Sequence, residues 1–189
     1  MGRSKEITDD ALLDGLVGVF QAYGYEGASM KLLAEATGLG RASLYHRFPG
    51  GKEEMALAAL GRVDAVFGGY VLAPLGEAGE PAARVRKMSD RMMEFYDMGR
   101  KSCLLDTLSM GGEASLRESV KGSFAALHEA LAGIAHEAGA SPAAARKRAE
   151  RAVIELQGAL VWARASGDTE PFERVMKSMP YQLTVSGSG

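Results

Sequence analysis

Residue types that mark several classes of protein are scarce in this sequence of 189 residues. Its one cysteine, Cys103, excludes an internal disulfide and is typical of a protein in a reducing compartment. Its three histidines are His46, His128 and His136, and the last two are two helical turns apart, too far to share a metal ion. No nucleophile elbow or phosphate-binding glycine motif is present. We therefore expect no catalytic residues, no metal and no cofactor, and an enzyme is not predicted.

Long hydrophobic runs and strand patterns are also scarce. No uninterrupted apolar run approaches the roughly 20 residues that span a bilayer, and residues 1–7 are charged without an apolar segment behind them. These absences predict a cytoplasmic protein with no membrane partner and no secretory signal. Alternating β-branched runs bounded by turn residues are nearly absent, which argues against a sheet. The composition, 47% hydrophobic and 24% charged, is ordinary for a folded globular chain.

The chain as a whole lacks an excess of basic charge, since its net charge is −2. Residues 1–28 hold five acidic and two basic side chains. Residues 29–52 reverse this balance, with Glu35 alone against four basic side chains, Lys31, Arg41, Arg47 and Lys52. Nucleic-acid binding depends on where charge lies rather than on its sum. This local basic excess is therefore the first candidate for a binding surface.

Helix signals are abundant. Thr8, Ser29 and Ser141 are good N-caps, and apolar residues recur at helical spacing behind each of them. These patterns predict an all-α fold of about nine helices. The expected ranges are 9–24, 30–37, 41–48, 52–70, 82–98, 100–110, 115–138, 142–167 and a short last helix from 171. The proline- and glycine-containing stretch 73–81 predicts a loop.

The connection between the second and third helices is unusually short. Only Gly38, Leu39 and Gly40 separate them, and glycine accepts the positive φ angles of a tight turn. Two helices joined in this way cross at a large angle. The spacing therefore predicts a helix-turn-helix.

The stretch from Gly24 to Met55, GYEGASMKLLAEATGLGRASLYHRFPGGKEEM, resembles the DNA-binding domain of the TetR family of bacterial transcriptional repressors. The matching positions are Gly24-Tyr25, Ser29, Leu33-Ala34, Gly38-Leu39, Leu44-Tyr45, Phe48 and Lys52. The junction from Phe48 to Glu54, with its proline and paired glycines, is similar to the LmrA/YxaF-like subgroup, and so is GALVWARASGDTEPFERV near the C-terminus. At the start of the third helix the family often has a small hydroxyl residue where this chain has Gly40, which offers no side-chain cap.

The resemblance implies a ligand-responsive transcriptional regulator, most often a repressor, with two functional domains. We predict an N-terminal three-helix helix-turn-helix DNA-binding domain over residues 1–52 and a C-terminal helical effector-binding and dimerisation domain over 53–182. A disordered tail is expected over 183–189. The implied partners are double-stranded operator DNA, a small apolar or amphipathic effector and a second copy of the chain.

The third helix is the predicted reading helix, because a helix fits the major groove with its N-terminal residues against base edges. Leu44 and Phe48 share one face and are expected to pack inward, and the resemblance assigns Tyr45 to phosphate. The predicted DNA-binding residues are Ser29, Lys31, Gly40, Arg41, Ala42, Ser43, Tyr45, His46, Arg47 and Lys52. Two alternatives are a basic, solvated motif with a packing role only, and a helical protein-interaction module without sequence-specific DNA binding.

A single motif of this size contacts few phosphates, so a dimer on a pseudo-palindromic operator is expected. Small and apolar residues of the last two helices are the candidate interface: Leu156, Gly158, Ala159, Leu160, Ala163 and Phe172. The alternative is that these residues close the core of the single chain.

The middle of the chain is rich in methionine, which suits either a packed core or a pocket for varied apolar molecules. The resemblance implies an effector pocket in this region. Its candidate lining residues are Met92, Tyr96, Cys103, Leu104, Phe124, His128 and Trp162. For Cys103 itself, a buried structural role is favoured over a sensing role, because no cationic cluster or second cysteine is near it in sequence.

Overall fold

The structure, a computed structural model, describes residues 7–185, and α-helices dominate this range. No strand occurs between residues 7 and 185, so the predicted all-α class is confirmed. The helices are α1 (Asp9–Gly27), α2 (Met30–Thr37), α3 (Arg41–Arg47), α4 (Gly51–Val66), α5 (Pro81–Phe95), α6 (Leu104–Ser109), α7 (Ala114–Glu137), α8 (Pro142–Ser166) and α9 (Glu170–Thr184).

Three helices begin where their capping residues predicted. The hydroxyl of Thr8 accepts a hydrogen bond from the backbone N–H of Ala11 at 3.2 Å. The hydroxyls of Ser29 and Ser141 accept equivalent bonds at 3.3 Å from the residues three positions on. Each cap satisfies an N–H group that a helix leaves without a partner at its first turn.

The last helix is longer than predicted. Leu183 and Thr184 belong to α9, and Leu183 is fully buried, so the expectation of a disordered tail from residue 183 is wrong at these positions. An apolar side chain that reaches the core fixes the end of a helix whatever the polarity of the residues after it. Residues 186–189 lie outside the described range.

The middle of the chain departs from prediction at two places. The fourth helix ends at Val66 as an α-helix, and a π-helical segment (Phe67–Leu72) follows it directly. A 3₁₀ turn (Ala73–Gly76) comes next and occupies the first part of the predicted loop. The fifth helix ends at Phe95 rather than near residue 98, because Asp97 and Met98 adopt φ angles of 47° and 55°. Apolar periodicity does not report these backbone changes, since it reflects the spacing of side chains and not the φ angles between them.

The helical run Gly51–Gly76 is long and apolar enough, by length and composition, to cross a membrane. The search for uninterrupted apolar residues did not find this segment, because single charged residues interrupt its alanines and glycines. A single helix of this kind is weak evidence for a span. Arg62 of this run forms ion pairs with α1, because its nitrogens lie 3.1 Å from the carboxylates of Asp10 and Asp14. This part of the run therefore packs against another helix of the chain.

The chain divides into two compact units. The first comprises the chain up to Asp64 together with Leu104–Lys121, and the second comprises Ala65–Cys103 together with the chain from Gly122 onward. The first unit is therefore larger than the predicted 1–52 domain, because α6 packs against α1. Contacts between segments that are so far apart in the chain are not visible in local sequence patterns.

Candidate nucleic-acid interface

The turn between α2 and α3 is held by its buried residues. Gly38 ends α2 with a φ of 69°, in the left-handed region. The buried hydroxyl of Thr37 donates to the carbonyl of Leu33 at 2.7 Å and accepts from the N–H of Leu39 at 3.4 Å. Both sides of the turn are therefore tied to the end of α2, and the start of α3 has a fixed direction.

α3 is a seven-residue helix with one buried side. Leu44 is fully buried and Phe48, which follows the helix, is also buried, as their spacing predicted. The remaining side chains of α3 are exposed: Arg41, Ala42, Ser43, Tyr45, His46 and Arg47. One open concavity on this surface is lined by Leu39, Ala42, Ser43, His46 and Arg47. α3 thus presents a polar, partly basic surface on a helix that its apolar side holds to the unit.

The predicted DNA-binding cations differ in how they are engaged. Arg47 forms an ion pair and hydrogen bond with Asp9 of α1. Lys31 lies 3.9 Å from Glu35, one turn further along α2, and both side chains are exposed. Within residues 7–185, no ion pair involves Arg41. Among the described residues, Arg41 is therefore the cation of α3 that can be engaged without breaking an ion pair.

Lys52 is half-buried at the start of α4, and its Nζ lies 4.4 Å from the centre of the Tyr25 ring. This is the geometry of a cation–π contact. Burial and the carboxylates of Glu53, Glu113 and Glu26 raise the pKa of the Tyr25 phenol. Lys52 therefore has a role in packing α4 against the end of α1, in addition to any contact with a phosphate.

The N-caps of α2 and α3 contrast with each other. Ser29 and Gly40 have nearly the same extended backbone, with φ and ψ of −77° and 153° and of −68° and 154°. Ser29 caps α2 through its hydroxyl, whereas no side-chain hydrogen bond caps α3. α3 therefore begins with N–H groups that its own N-cap leaves open.

Sequence patterns did not indicate three residues of this surface. The sequence patterns include Asp9 only as the first residue of the first predicted helix, Tyr25 only in the family motif, and Leu39 only in the turn and that motif. The structure brings Asp9 to Arg47, Tyr25 to Lys52, and Leu39 to the concavity beside α3. The first two pairs join residues that are far apart in sequence. The only signals that could have predicted them were the opposite charges of Asp9 and Arg47 and the aromatic ring and cation of Tyr25 and Lys52.

Family comparisons agree with this helix-turn-helix. The family model described as bacterial regulatory proteins, tetR family, matches residues 12–59, which contain α2 and α3. A second model, described as transcriptional regulator LmrA/YxaF-like, C-terminal domain, matches residues 81–178, more than half of the chain. The chain belongs to the TetR family of bacterial transcriptional regulators, in its LmrA/YxaF-like group. The resemblance seen in the sequence is thereby confirmed.

Individual TetR-family relatives match over shorter segments. The chain is 25% identical over 79 residues to the uncharacterized HTH-type regulator YxaF and 35% identical over 51 residues to the HTH-type regulator LmrA, both of Bacillus subtilis. It is 46% identical over 54 residues to the HTH-type repressor AcnR of Corynebacterium efficiens. These segments cover 42%, 27% and 29% of this chain. They cover 41%, 27% and 28% of the respective relatives.

Solved structures show the same fold along nearly the whole chain. A TetR regulator from Legionella pneumophila aligns with a TM-score of 0.83 and 22% identity, covering 97% of this chain and 100% of that one. The regulator CifR, in a cysteine mutant complexed with a 26-base-pair double-strand operator DNA, aligns with a TM-score of 0.78 and 21% identity, covering 98% and 100%. The TetR-family fold is therefore present in both units.

The predicted dimer residues of this TetR-family chain lie mostly in its own core. Leu156, Ala159, Leu160, Ala163 and Phe172 are buried within the single chain, and of the six only Gly158 is exposed. α8 and α9 pack against each other. The rings of Phe172 and Tyr96 are in edge-to-face contact, with 6.0 Å between their centroids. Their burial supports the alternative interpretation, closure of the single chain's core, and their role in a dimer interface stays a prediction.

Three of the predicted effector-pocket residues lie in the buried part of the second unit. Met92, Tyr96 and Cys103 are buried there, and the Tyr96 hydroxyl lies 3.6 Å from the Cys103 Sγ. Burial raises the pKa of the Tyr96 phenol well above its ordinary range, and the Cys103 thiol adds to this shift. The side-chain amide of Gln157 donates to the same sulfur at 3.6 Å. Burial of Cys103 is as predicted.

The remaining predicted pocket residues differ in burial and belong to both units. Leu104 is buried in the first unit, at the start of α6. Phe124 is half-buried on α7, and the His128 Nε2 lies 3.1 Å from the carbonyl oxygen of Arg146. Trp162 is 55% exposed on α8, so it does not line an enclosed pocket within the single chain. Within residues 7–185 there is no group of three or more metal-ligating side chains.

Proposed function

We propose that this TetR-family regulator represses transcription in the cytoplasm by binding a pseudo-palindromic operator as a homodimer, and that a small apolar or amphipathic effector releases it. The observation that carries the proposal is the division of α3 into a buried side and an exposed polar side. Leu44 holds the helix, while Arg41 and Ser43 stand near its N-terminus. A helix presented in this way fits the major groove with its first residues at base edges.

Each exposed residue of α3 suits one kind of contact. Arg41 has a guanidinium that can donate two hydrogen bonds to a guanine edge, and Ser43 can donate or accept. Tyr45 is 50% exposed and has a hydroxyl for a phosphate oxygen. The uncapped N–H groups after Gly40 can donate to a second phosphate. CifR, which shares this fold, was solved on a double-strand operator, and this supports DNA as the partner class.

A different face of α8 supports the homodimer. Ile154, Val161 and Trp162 are exposed, and with Gly158 they recur at positions i, i+7, i+8 and i+4, on one side of the helix. Large apolar side chains exposed together on one helix mark an interaction surface. We assign this face, Ile154, Gly158, Val161 and Trp162, to contact with the same face of a second copy, as a two-fold axis requires.

The effector is proposed to bind in the second unit near Met92, Tyr96 and Cys103. Methionine adapts its shape to different apolar molecules, while the Tyr96 hydroxyl and the Cys103 thiol supply polar contacts. α4 begins in the first unit and ends in the second, so it connects the two parts by the chain itself. Effector binding is expected to lower operator affinity, which requires that the effector bind the free form more tightly than the DNA-bound form.

The proposal is tested by selecting duplexes from a random-sequence library with the purified protein. The tightest selected duplex is then compared with a scrambled duplex of the same length and composition at physiological salt. We expect a pseudo-palindromic consensus and a preference of at least about 1,000-fold over the scrambled duplex. Arg41→Ala should weaken binding to the selected duplex by about 1–3 kcal/mol per half-site and relax the preference at one base pair.

Arg86→Ala is the matched control, because Arg86 is an exposed arginine on α5, which belongs to the second unit. It removes the same charge and should leave the affinity unchanged. Selection that yields no consensus, with weak and equal binding to every duplex, would refute the repressor function. That result would favour a helical protein-interaction module instead.

A further inference from the structure

The ion pair between Arg47 and Asp9 lies on the surface that is proposed to bind DNA. Arg47 belongs to the last turn of α3 and lines the concavity beside it, together with Ala42, Ser43 and His46. Its guanidinium is engaged by the carboxylate of Asp9, from the first turn of α1. The two residues are 38 positions apart, so the contact is tertiary and is not imposed by local helix geometry.

Both partners of this pair remain open to solvent. The Arg47 side chain is 43% exposed and the Asp9 side chain is 78% exposed. A phosphate approaching Arg47 must therefore displace or share a carboxylate that is itself exposed and of the same sign as the phosphate. The carboxylate neutralises Arg47 and repels the DNA backbone at close range.

Asp9 differs from the next two acidic residues of α1 in the cation that it engages. Asp10 and Asp14 lie 3.1 Å from nitrogens of Arg62 on α4. Their charges are therefore compensated away from α3, whereas the charge of Asp9 is directed at Arg47. The same helix thus offers two kinds of carboxylate for comparison.

We infer that Asp9 is an autoinhibitory residue of the DNA-binding surface, whose carboxylate competes with DNA phosphate for Arg47. This inference rests on the proposed DNA-binding function. Non-specific binding comes almost entirely from cation–phosphate contacts, so an occupied Arg47 lowers affinity for any duplex. Asp9 therefore limits binding away from the operator.

The test is titration of the full-length chain and its Asp9→Asn variant against the scrambled duplex over a range of salt concentrations. Asp9→Asn should bind the scrambled duplex about two- to fivefold more tightly per reading helix, the range set by an exposed ion pair. One more phosphate contact per reading helix should make the slope of log affinity against log salt steeper by about 0.9. Circular dichroism at the assay temperature checks that each variant is folded.

Asp14→Asn is the matched control, since it removes the same charge from the same helix but acts on Arg62, which keeps its ion pair with Asp10, and leaves Arg47 paired. It should change affinity and salt slope less than Asp9→Asn does. The Arg47→Gln background is the second control, and in it Asp9→Asn should have no more effect than Asp14→Asn.

Three results would overturn the inference. An equal gain from Asp14→Asn, or a full gain in the Arg47→Gln background, would mean that Asp9 acts through net charge alone. Weaker binding by Asp9→Asn would mean that the carboxylate orients Arg47 for DNA rather than competing with it. Failure of the proposed function is separate, because it is measured as the wild-type preference for the selected duplex over the scrambled one.

Discussion

Gly15 sets how closely α1 and α2 pack in the first unit. A Cβ atom at this position would lie 2.8 Å from the carbonyl oxygen of Ala36 and 3.2 Å from its carbonyl carbon. Real side chains essentially never come so close to backbone, so the absence of a side chain is required there. α2 leads directly into the turn before α3. The close packing that Gly15 allows between α1 and α2 therefore also determines where α3 begins.

We expect Gly15→Ala to lower the free energy of unfolding by about 1–3 kcal/mol, because α2 must move away from α1 to admit the methyl group. Urea denaturation followed by circular dichroism measures the change. Gly18→Ala is the control on the same helix, since no other element of residues 7–185 comes within 4 Å of the methyl group that it adds. It should raise stability by about 0.5–1 kcal/mol through helix propensity. Destabilisation by both substitutions to the same extent would contradict a packing role for Gly15.

Among the elements, α3 has little internal support of its own. It has seven residues, too few for a stable isolated helix, and its N-cap Gly40 contributes no side-chain hydrogen bond. Burial of Leu44 and the bond from the Phe48 N–H to the Leu44 carbonyl, 2.8 Å long, hold it from the other end. The helix is therefore ordered by packing rather than by its own sequence.

Gly40→Ser should add the missing cap. The backbone at Gly40 already has the extended conformation of a capping residue, and no residue between 7 and 185 other than its chain neighbours comes within 4 Å of a new Cβ. We expect a gain of a few tenths of a kcal/mol in stability and slower hydrogen exchange of the first N–H groups of α3. Ser29→Gly at the matched cap of α2 should cause a loss of similar size. Faster exchange in Gly40→Ser would contradict this account of the cap.

At the scale of the whole molecule, the apolar surface of the second unit is divided between its own core and an exposed face. Phe172 and Leu156 are fully buried, whereas Ile154 is 63% exposed on the same helix as Leu156. Two residues two positions apart on a helix point to different sides, so α8 has one apolar side toward α9 and another toward solvent. The second side is the one proposed to meet a second copy.

Ile154→Glu should disrupt the proposed homodimer and leave the chain monomeric. A glutamate on each side of a two-fold interface loses its hydration without gaining a partner. This desolvation costs about 1–3 kcal/mol or more of association free energy for each copy. Sedimentation velocity at micromolar concentration should show at least about 30-fold weaker self-association. Met110→Glu is the control, because Met110 is a large exposed apolar residue in the first unit. A monomeric wild-type chain that binds its selected duplex tightly would contradict the homodimer.

Sequence patterns predicted the parts of the fold and of the site that depend on neighbours within one or two helical turns. The caps Thr8, Ser29 and Ser141, the bounds of α2, the start of α3 and the inward direction of Leu44 followed from local hydrogen bonds and the 3.6-residue period. The exposed set on α3 followed from the same period. These features are encoded locally and needed no tertiary contact to be recognised.

The tertiary structure decided which of several chemically equivalent faces and charges meet. An apolar residue on α8 satisfies a core and an interface equally well, and only the packing of α9 shows that Leu156 belongs to the core and Ile154 to the surface. Likewise, any acidic residue of α1 was a candidate partner for a basic residue of α3 or α4, and the fold gives Asp9 to Arg47 and Asp14 to Arg62. The physical reason is that burial and Coulomb attraction depend on distances between residues, and only the packed helices define those distances.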